Sequence, residues 1–222
     1  MATIPEREEV CLQAVASLVD QVDELWVILN GFPGMPAALR DRVYLERGKN
    51  HGDAGKFRRA WDTRLSALLF TCDDDIIYPP DYTRVLEDKL AGREHCTVGV
   101  HGARLRRDPL KNYGRDRDVR HIGDACDEER SEHLLGTGTL AFYASAIELR
   151  EEHFENGFMA DIWFAIQAQK QKVPLISIAR PKDWLKPAQP APTHTIWSRM
   201  RMDGDSTQVE AMGRIPKWEL HT

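Results

Sequence analysis

No C-x-x-C pair occurs in this sequence; its four cysteines, Cys11, Cys72, Cys96 and Cys126, stand far apart. That spacing argues against a zinc knuckle, and an N-terminus without the charged and apolar regions of a secretory signal argues against a disulfide framework. Reduced thiols in a cytoplasmic protein are the expectation. No apolar run approaches the roughly 18 to 20 residues of a membrane span, so any membrane contact is expected to be peripheral. There is no excess of basic charge: a formal charge of −5 and a pI near 5.9 give no global pull toward nucleic acid or anionic membrane. Internal repeats and low-complexity segments are also missing. What remains is a chain of 222 residues that is 42% hydrophobic, which suits one ordinary domain with a sizeable core.

Short apolar runs alternate with helical spacing along the chain. Met1 to Pro5 reads as the tail of an unusually short first strand. Val10, Leu12, Val15, Leu18 and Val19 mark one face of a helix over residues 8–20. Glu24 to Leu29 follows as a strand, closed by Asn30-Gly31, so the opening reads as a βαβ unit. Arg42 to Glu46 is expected to be a third strand, and Lys56 to Thr63 to start a helix. The run Leu65 to Cys72 is a strand that ends abruptly on Asp73-Asp74-Asp75. A helix over residues 82–91 and a strand from Thr97 to Leu105 come next. Arg104 to Arg120 carries seven Arg or Lys against three Asp. It reads as an exposed loop, either a solvated one or a flap over an acceptor. Val119 to Gly123 is a short strand candidate, residues 160–171 are helical, and Val173 to Ala179 is the last strand. The alternation predicts one α/β sheet. Residues 1–185 form the expected domain, and residues 186–222 a tail that either folds over a site or stays loose.

Ligands of open α/β sheets sit outside the carboxyl ends of the strands, where Asp73 to Asp75 stand. Adjacent carboxylates raise one another's proton affinity unless a cation intervenes, and oxygen ligands suit Mg²⁺ or Mn²⁺. A helix-capping acidic turn is the plainer use of the same residues. A metal of this kind is normally shared with phosphates, and Arg7 and Lys56 are cations on loops at the same sheet edge. Asp53 is placed to accept hydrogen bonds from a base or ribose. His194 is the histidine best able to reach the cation, by way of a tail folded over bound nucleotide. His101 and His121 are expected to be ordinary polar residues, and Trp163 at helical spacing to be core.

The segments Ala2 to Arg7, Asn50 to Lys56, Phe70 to Asp81, Leu135 to Thr139 and Met159 to Phe164 together resemble bacterial and phage glycosyltransferases of the GT-A fold, close to the family 2 type. The resemblance runs from about residue 2 to residue 185. It implies a single Rossmann-like domain with a mostly parallel central sheet flanked by helices. By the same resemblance Asp73 to Asp75 stand in a DxD-type element that holds metal and diphosphate, with Asp75 and Asp73 as metal ligands. Pro5, Arg7, Asn30, Asp53, Lys56, Asp73 and Asp74 would line the nucleotide pocket, uridine being the implied base. Asp161 would take the acidic position near the acceptor and serve as catalytic base.

The expected activity is therefore transfer of a sugar from a nucleoside-diphosphate donor to a hydroxyl, on a surface glycan or on a modified nucleobase of phage DNA. The enzymatic rival is a haloacid-dehalogenase-like phosphatase or phosphotransferase, whose D-x-D spacing Asp73 and Asp75 also satisfy. Against it, about 70 residues precede the motif and Ile76 follows it. A nucleotide-binding protein without turnover is the non-enzymatic alternative.

Overall fold

Three short parallel strands open the chain, β1 (Ala2–Thr3), β2 (Trp26–Leu29) and β3 (Tyr44–Arg47), paired in that order. The computed structural model describes residues 1–39, 43–62, 64–155, 158–190 and 205–222. Helix α1 (Glu8–Leu18) makes the crossover from β1 to β2 and buries Val10, Cys11, Ala14, Val15 and Leu18, a stripe at helical spacing. The expected βαβ opening is thus present. The third strand is Tyr44–Arg47, one residue further on than its expected end, and Arg42 lies outside the described residues.

Beyond β3 the residues that were expected to begin an α-helix at Lys56 form a 3-10 helix, Gly52–Trp61, that starts four residues earlier. Thr63 is outside the described residues. Phe57 is fully buried and stacks on Phe154 and Phe164 with centroids 4.9 and 5.3 Å away. That anchor fixes the segment by one side chain, so that Asp53 and Lys56 face elsewhere.

The elements that follow are β4 (Leu68–Cys72), β5 (Ile76–Ile77), α2 (Tyr82–Leu90), β6 (Thr97–Gly99), β7 (Gly102–Leu105), β8 (Arg117–Arg120), β9 (Arg130–Ser131), β10 (Leu134–Leu135), β11 (Thr139–Tyr143), α3 (Ala160–Gln171), β12 (Leu175–Ser177), β13 (Lys186–Pro187) and α4 (Ser206–Met212). The protein is mixed α/β, but the expectation of one mostly parallel central sheet is wrong. The largest sheet has the order β4-β11-β6-β12-β9, and only β6 and β12 in it run parallel. The physical reason is connectivity. Between β6 and β11 the chain makes strands without an intervening helix, and strands joined without a crossover pair antiparallel. Strand β11 returns between β4 and β6, antiparallel to both.

Helices cover both faces of this sheet, and β11 shows why. Leu140 and Phe142 point into one core with α3, while Ala141 points into the other with α1 and α2 residues such as Leu18, Tyr82 and Leu86.

Two further expectations are corrected between residues 97 and 123. Thr97 to Leu105 is two strands in two sheets, β6 and β7, with the break at Val100-His101. The segment from Arg104 to Arg120 is a hairpin rather than a loop throughout: β7 and β8 pair antiparallel from Gly102↔Arg120 to Leu105↔Arg117. The predicted short strand Val119 to Gly123 is instead Arg117–Arg120, the second arm of that hairpin. Its charge concealed it, because the strand Arg117-Asp118-Val119-Arg120 is held by side chains. Asp118 takes an ion pair from Arg130 at 2.7 Å, and Arg104 donates to the Ser131 carbonyl at 2.7 Å.

Of the C-terminal tail, the described parts pack against the domain. Lys186 and Pro187 pair with Ile77 and Ile76, and the Ala188 amide donates to the Asp75 carbonyl at 2.8 Å. Met212, Ile215 and Trp218 are buried in the core that α3 forms. Among the described residues no helix is long and apolar enough to cross a membrane.

Candidate functional site

Strand β4 delivers Asp73, Asp74 and Asp75 to its carboxyl end, as its sequence implies, and the turn there is built on hydrogen bonds to the segment before β11. The Thr71 hydroxyl donates to the Thr137 carbonyl at 2.7 Å. The Asp73 amide donates to the Tyr78 phenol oxygen at 2.8 Å, and that hydroxyl donates to the Gly138 carbonyl at 2.7 Å. Gly136 and Gly138 have no side chain for a steric reason: a Cβ at Gly138 would overlap the Asp73 carboxylate, and one at Gly136 would overlap the His101 ring.

The three aspartates have different partners. Asp73 contacts the Lys56 ammonium, whose own side chain is almost fully buried. Asp74 turns inward, with only 5% of its side chain exposed, and meets Arg7 Nη2 at 2.7 Å. Asp75 meets the same nitrogen at 2.5 Å and stays 29% exposed. Arg7 reaches both because Pro5 begins the 3-10 turn Pro5–Arg7 directly after β1. Titration follows these surroundings. Burial would raise Asp73, but the Lys56 charge and hydrogen bond outweigh it and hold the carboxyl below its ordinary value. Burial pushes Asp74 up to about 6 against the pull of Arg7. Asp75 is raised first by burial and next by the charge on Asp73.

Across the site Asp53 accepts from the amide of Ala160, the first residue of α3, at 3.4 Å. Its other oxygen, Oδ1, is buried and makes no hydrogen bond. Burial pushes Asp53 up to about 7; Lys56 opposes the shift, and Asp161 and Asp73 add to it. Asp161 lies in the first turn of α3, and its Oδ2 accepts from the Tyr113 hydroxyl at 3.0 Å. His101 stands at the seam between β6 and β7 with Nδ1 3.1 Å from the Thr139 hydroxyl. Burial lowers His101 to about 4 in spite of Asp73, so its ring is neutral at ordinary pH.

Four of the expected site residues, Asp53, Asp73, Asp74 and Asp75, therefore gather around two others, the cations Arg7 and Lys56. Asp161 joins through the field it shares with Asp53. Asn30 is committed to structure. Its Nδ2 donates to the Gly52 carbonyl at 2.8 Å and its Oδ1 accepts from the His51 amide at 3.2 Å, which ties the end of β2 to the loop that carries Asp53. His194 lies outside the described residues. His121 is exposed, with its amide on Asp124, and Trp163 is core. Tyr78, Tyr113 and Thr137 are not named by the sequence reading, and His101, expected to be an ordinary polar residue, is half-buried beside Thr139. Only the Gly136-Thr-Gly-Thr139 segment carried a sequence signal for any of them, since closely spaced glycines mark a close approach.

Among the described residues, no group of three or more His, Cys, Asp or Glu is assembled to hold a metal. Asp73 and Asp75 are two partly exposed carboxylates that feel one another's charge. Such a pair fits Mg²⁺ or Mn²⁺ when the remaining ligands are waters and substrate phosphates, the usual arrangement for these ions. Five carboxylates near two cations leave a local excess of negative charge, which a divalent ion would offset. No family model and no curated protein matches the chain.

Proposed function

We propose that this protein is a metal-dependent glycosyltransferase that moves a sugar from a nucleoside-diphosphate donor to a hydroxyl acceptor. The observation that carries the reading is the division of the carboxylates. Asp73 and Asp75 stay beside Lys56 and Arg7 at the end of β4, while Asp161 stands in the first turn of α3, and Asp53 feels the charges of Lys56, Asp161 and Asp73 alike. Sugar transfer needs both: a charged, cation-bearing side for a diphosphate, and a proton-accepting side for a hydroxyl. The resemblance of the five motif segments to GT-A glycosyltransferases points the same way and favours uridine as the base.

On this reading Asp75 and Asp73 hold Mn²⁺ or Mg²⁺, which would offset charge developing on the leaving diphosphate. Arg7 and Lys56 orient the phosphates. Pro5, Asn30, Asp53 and Asp74 shape the nucleotide side, Asn30 by fixing the loop after β3. In an inverting course Asp161 takes the proton of the acceptor hydroxyl as that oxygen attacks the anomeric carbon. The acceptor is a surface glycan or a modified nucleobase, reached without a membrane span, and the setting is the cytoplasm of a bacterium or a phage-infected cell.

The test is a panel of nucleotide-sugars with Mn²⁺, reading donor hydrolysis and transfer by mass spectrometry, beside thermal shifts with nucleoside diphosphates. Hydrolysis of at least one donor, abolished by chelator, is the expected result. Binding of nucleoside diphosphate with no turnover of any donor would leave a nucleotide-binding protein, and no binding at all would sink the proposal.

A further inference from the structure

The β7–β8 hairpin delivers a phenol to the interior. Tyr113 is 2% exposed although it sits in the turn of a hairpin whose neighbours Lys111, Gly114 and Arg115 are exposed. The turn is braced on all sides. The Asp116 carboxylate accepts from the amides of Lys111 and Asn112 at 2.8 and 3.0 Å, and Asn112 Oδ1 accepts from the Arg115 amide at 2.8 Å. Arg117 donates to the Tyr113 carbonyl at 2.6 Å, and its guanidinium lies 3.5 Å from the ring centroid. Asp205, at the start of α4, accepts from the Gly114 amide at 2.9 Å.

A phenylalanine would fill the same volume without burying a hydroxyl, and an unused buried hydroxyl costs free energy. Here the hydroxyl is used: it donates to Asp161 Oδ2 at 3.0 Å. The groups that face Asp161 come from three elements. Asp53 stands on the 3-10 helix, His101 at the β6–β7 seam and Tyr113 on the hairpin. Of these, Tyr113 is the one joined to the carboxylate by a hydrogen bond.

We infer that Tyr113 is a positioning residue for Asp161: its O–H occupies Oδ2 and turns Oδ1 toward the acceptor hydroxyl. This role presupposes Asp161 as the base. In the step it serves, the acceptor hydroxyl's proton goes to Oδ1 and its oxygen bonds to the anomeric carbon. The bond from that carbon to the diphosphate breaks, and its electron pair leaves with the diphosphate. Tyr113 keeps its own proton throughout, since burial and the neighbouring Asp161 charge both push its phenol well above the ordinary value.

The experiment compares the full chain with Tyr113→Phe and Asp161→Asn. The probes are UDP-glucose hydrolysis in Mn²⁺, with kcat and KM read separately, and the crystal structure of each variant, which needs no substrate. Tyr113→Phe keeps the ring beneath Arg117, and its melting curve checks the fold. Losing this donor should free the Asp161 carboxylate to rotate, so that its two oxygens no longer hold one orientation. Turnover should fall about 10-fold to 100-fold, with UDP affinity unchanged. An Asp161 carboxylate in the same orientation, or an unchanged kcat, in Tyr113→Phe overturns the positioning role. Retained hydrolysis in Asp161→Asn removes the base itself, and with it the proposed catalytic assignment, whatever Tyr113→Phe does.

Discussion

On one side of the site Asp73 lies against Lys56 and stays ionised below its ordinary range; on the other, Asp53 is pushed up to about 7 by burial. Both are aspartates within reach of the same ammonium. They differ in contact and in company. Asp73 is bonded to Lys56, whereas Asp53 caps the Ala160 amide and leaves one buried oxygen without a hydrogen bond. A lysine can keep one carboxylate charged at close range while its neighbour, taken out of water and crowded by Asp161, holds a proton to near neutrality. On the proposed reading the diphosphate meets a carboxylate that keeps its charge and the nucleoside meets one that exchanges protons near neutrality, although one residue type serves both.

Four substitutions break or sharpen this contrast. The largest effect is expected from Asp161→Asn, which should lower transfer by about 10²- to 10⁴-fold while UDP binding by calorimetry stays intact. Next comes Lys56→Met. Without the ammonium, Asp73 loses its partner and Asp53 its opposing charge. Stability by urea denaturation should drop by about 2 kcal/mol, less than a fully buried pair would give because Asp73 is 35% exposed. Asp75→Ala should weaken Mn²⁺-dependent UDP binding about 10-fold and leave metal-free binding alone; equal loss in both would remove Asp75 as a metal ligand.

The smallest effect is in pH dependence. Asp53 and Asp74 have folded-state values near 7 and 6, above their ordinary 3.8. Between about pH 4 and 7 the folded chain holds protons that the unfolded chain has released, so stability should fall as pH rises through that window. Asp53→Asn still has an oxygen for the Ala160 amide but cannot ionise. It should flatten this slope and gain about 1 kcal/mol at pH 8, read from melting curves. A variant as pH-sensitive as the parent would show that Asp53 is not held up by burial.

Residues close in sequence to a strand end were legible; residues brought from afar were not. The place of Asp73 to Asp75 at the end of a strand could be read because a run of apolar residues stops dead on charge, a pattern local to eight residues. The βαβ opening was legible for the same reason, from a helical stripe between two apolar runs. Sheet direction was hidden, since Leu134 to Ala144 looks the same whether β11 pairs parallel or antiparallel; only the absence of a helix before it carried information. Tyr113 had no signal at all. An aromatic residue in a segment of alternating arginine and aspartate reads as surface, and its burial depends on Arg117, Asp205 and the α3 helix. Asn30, which the resemblance places in the nucleotide pocket, holds the Asp53 loop in place through its amide, a contact that no local pattern announces.

The contacts of the last residues with the hairpin make the two halves of the site separable in the chain. Asp205 holds the Gly114 amide, and the Trp218 amide donates to Asp108 at 2.8 Å, so both ends of the hairpin turn are moored to residues beyond 204. Every donor-side residue named above lies before residue 76. Removing the residues beyond 204 should therefore loosen the hairpin turn, and with it the hydrogen bond from Tyr113 to Asp161, while the ion pairs of Arg7 and Lys56 keep their partners.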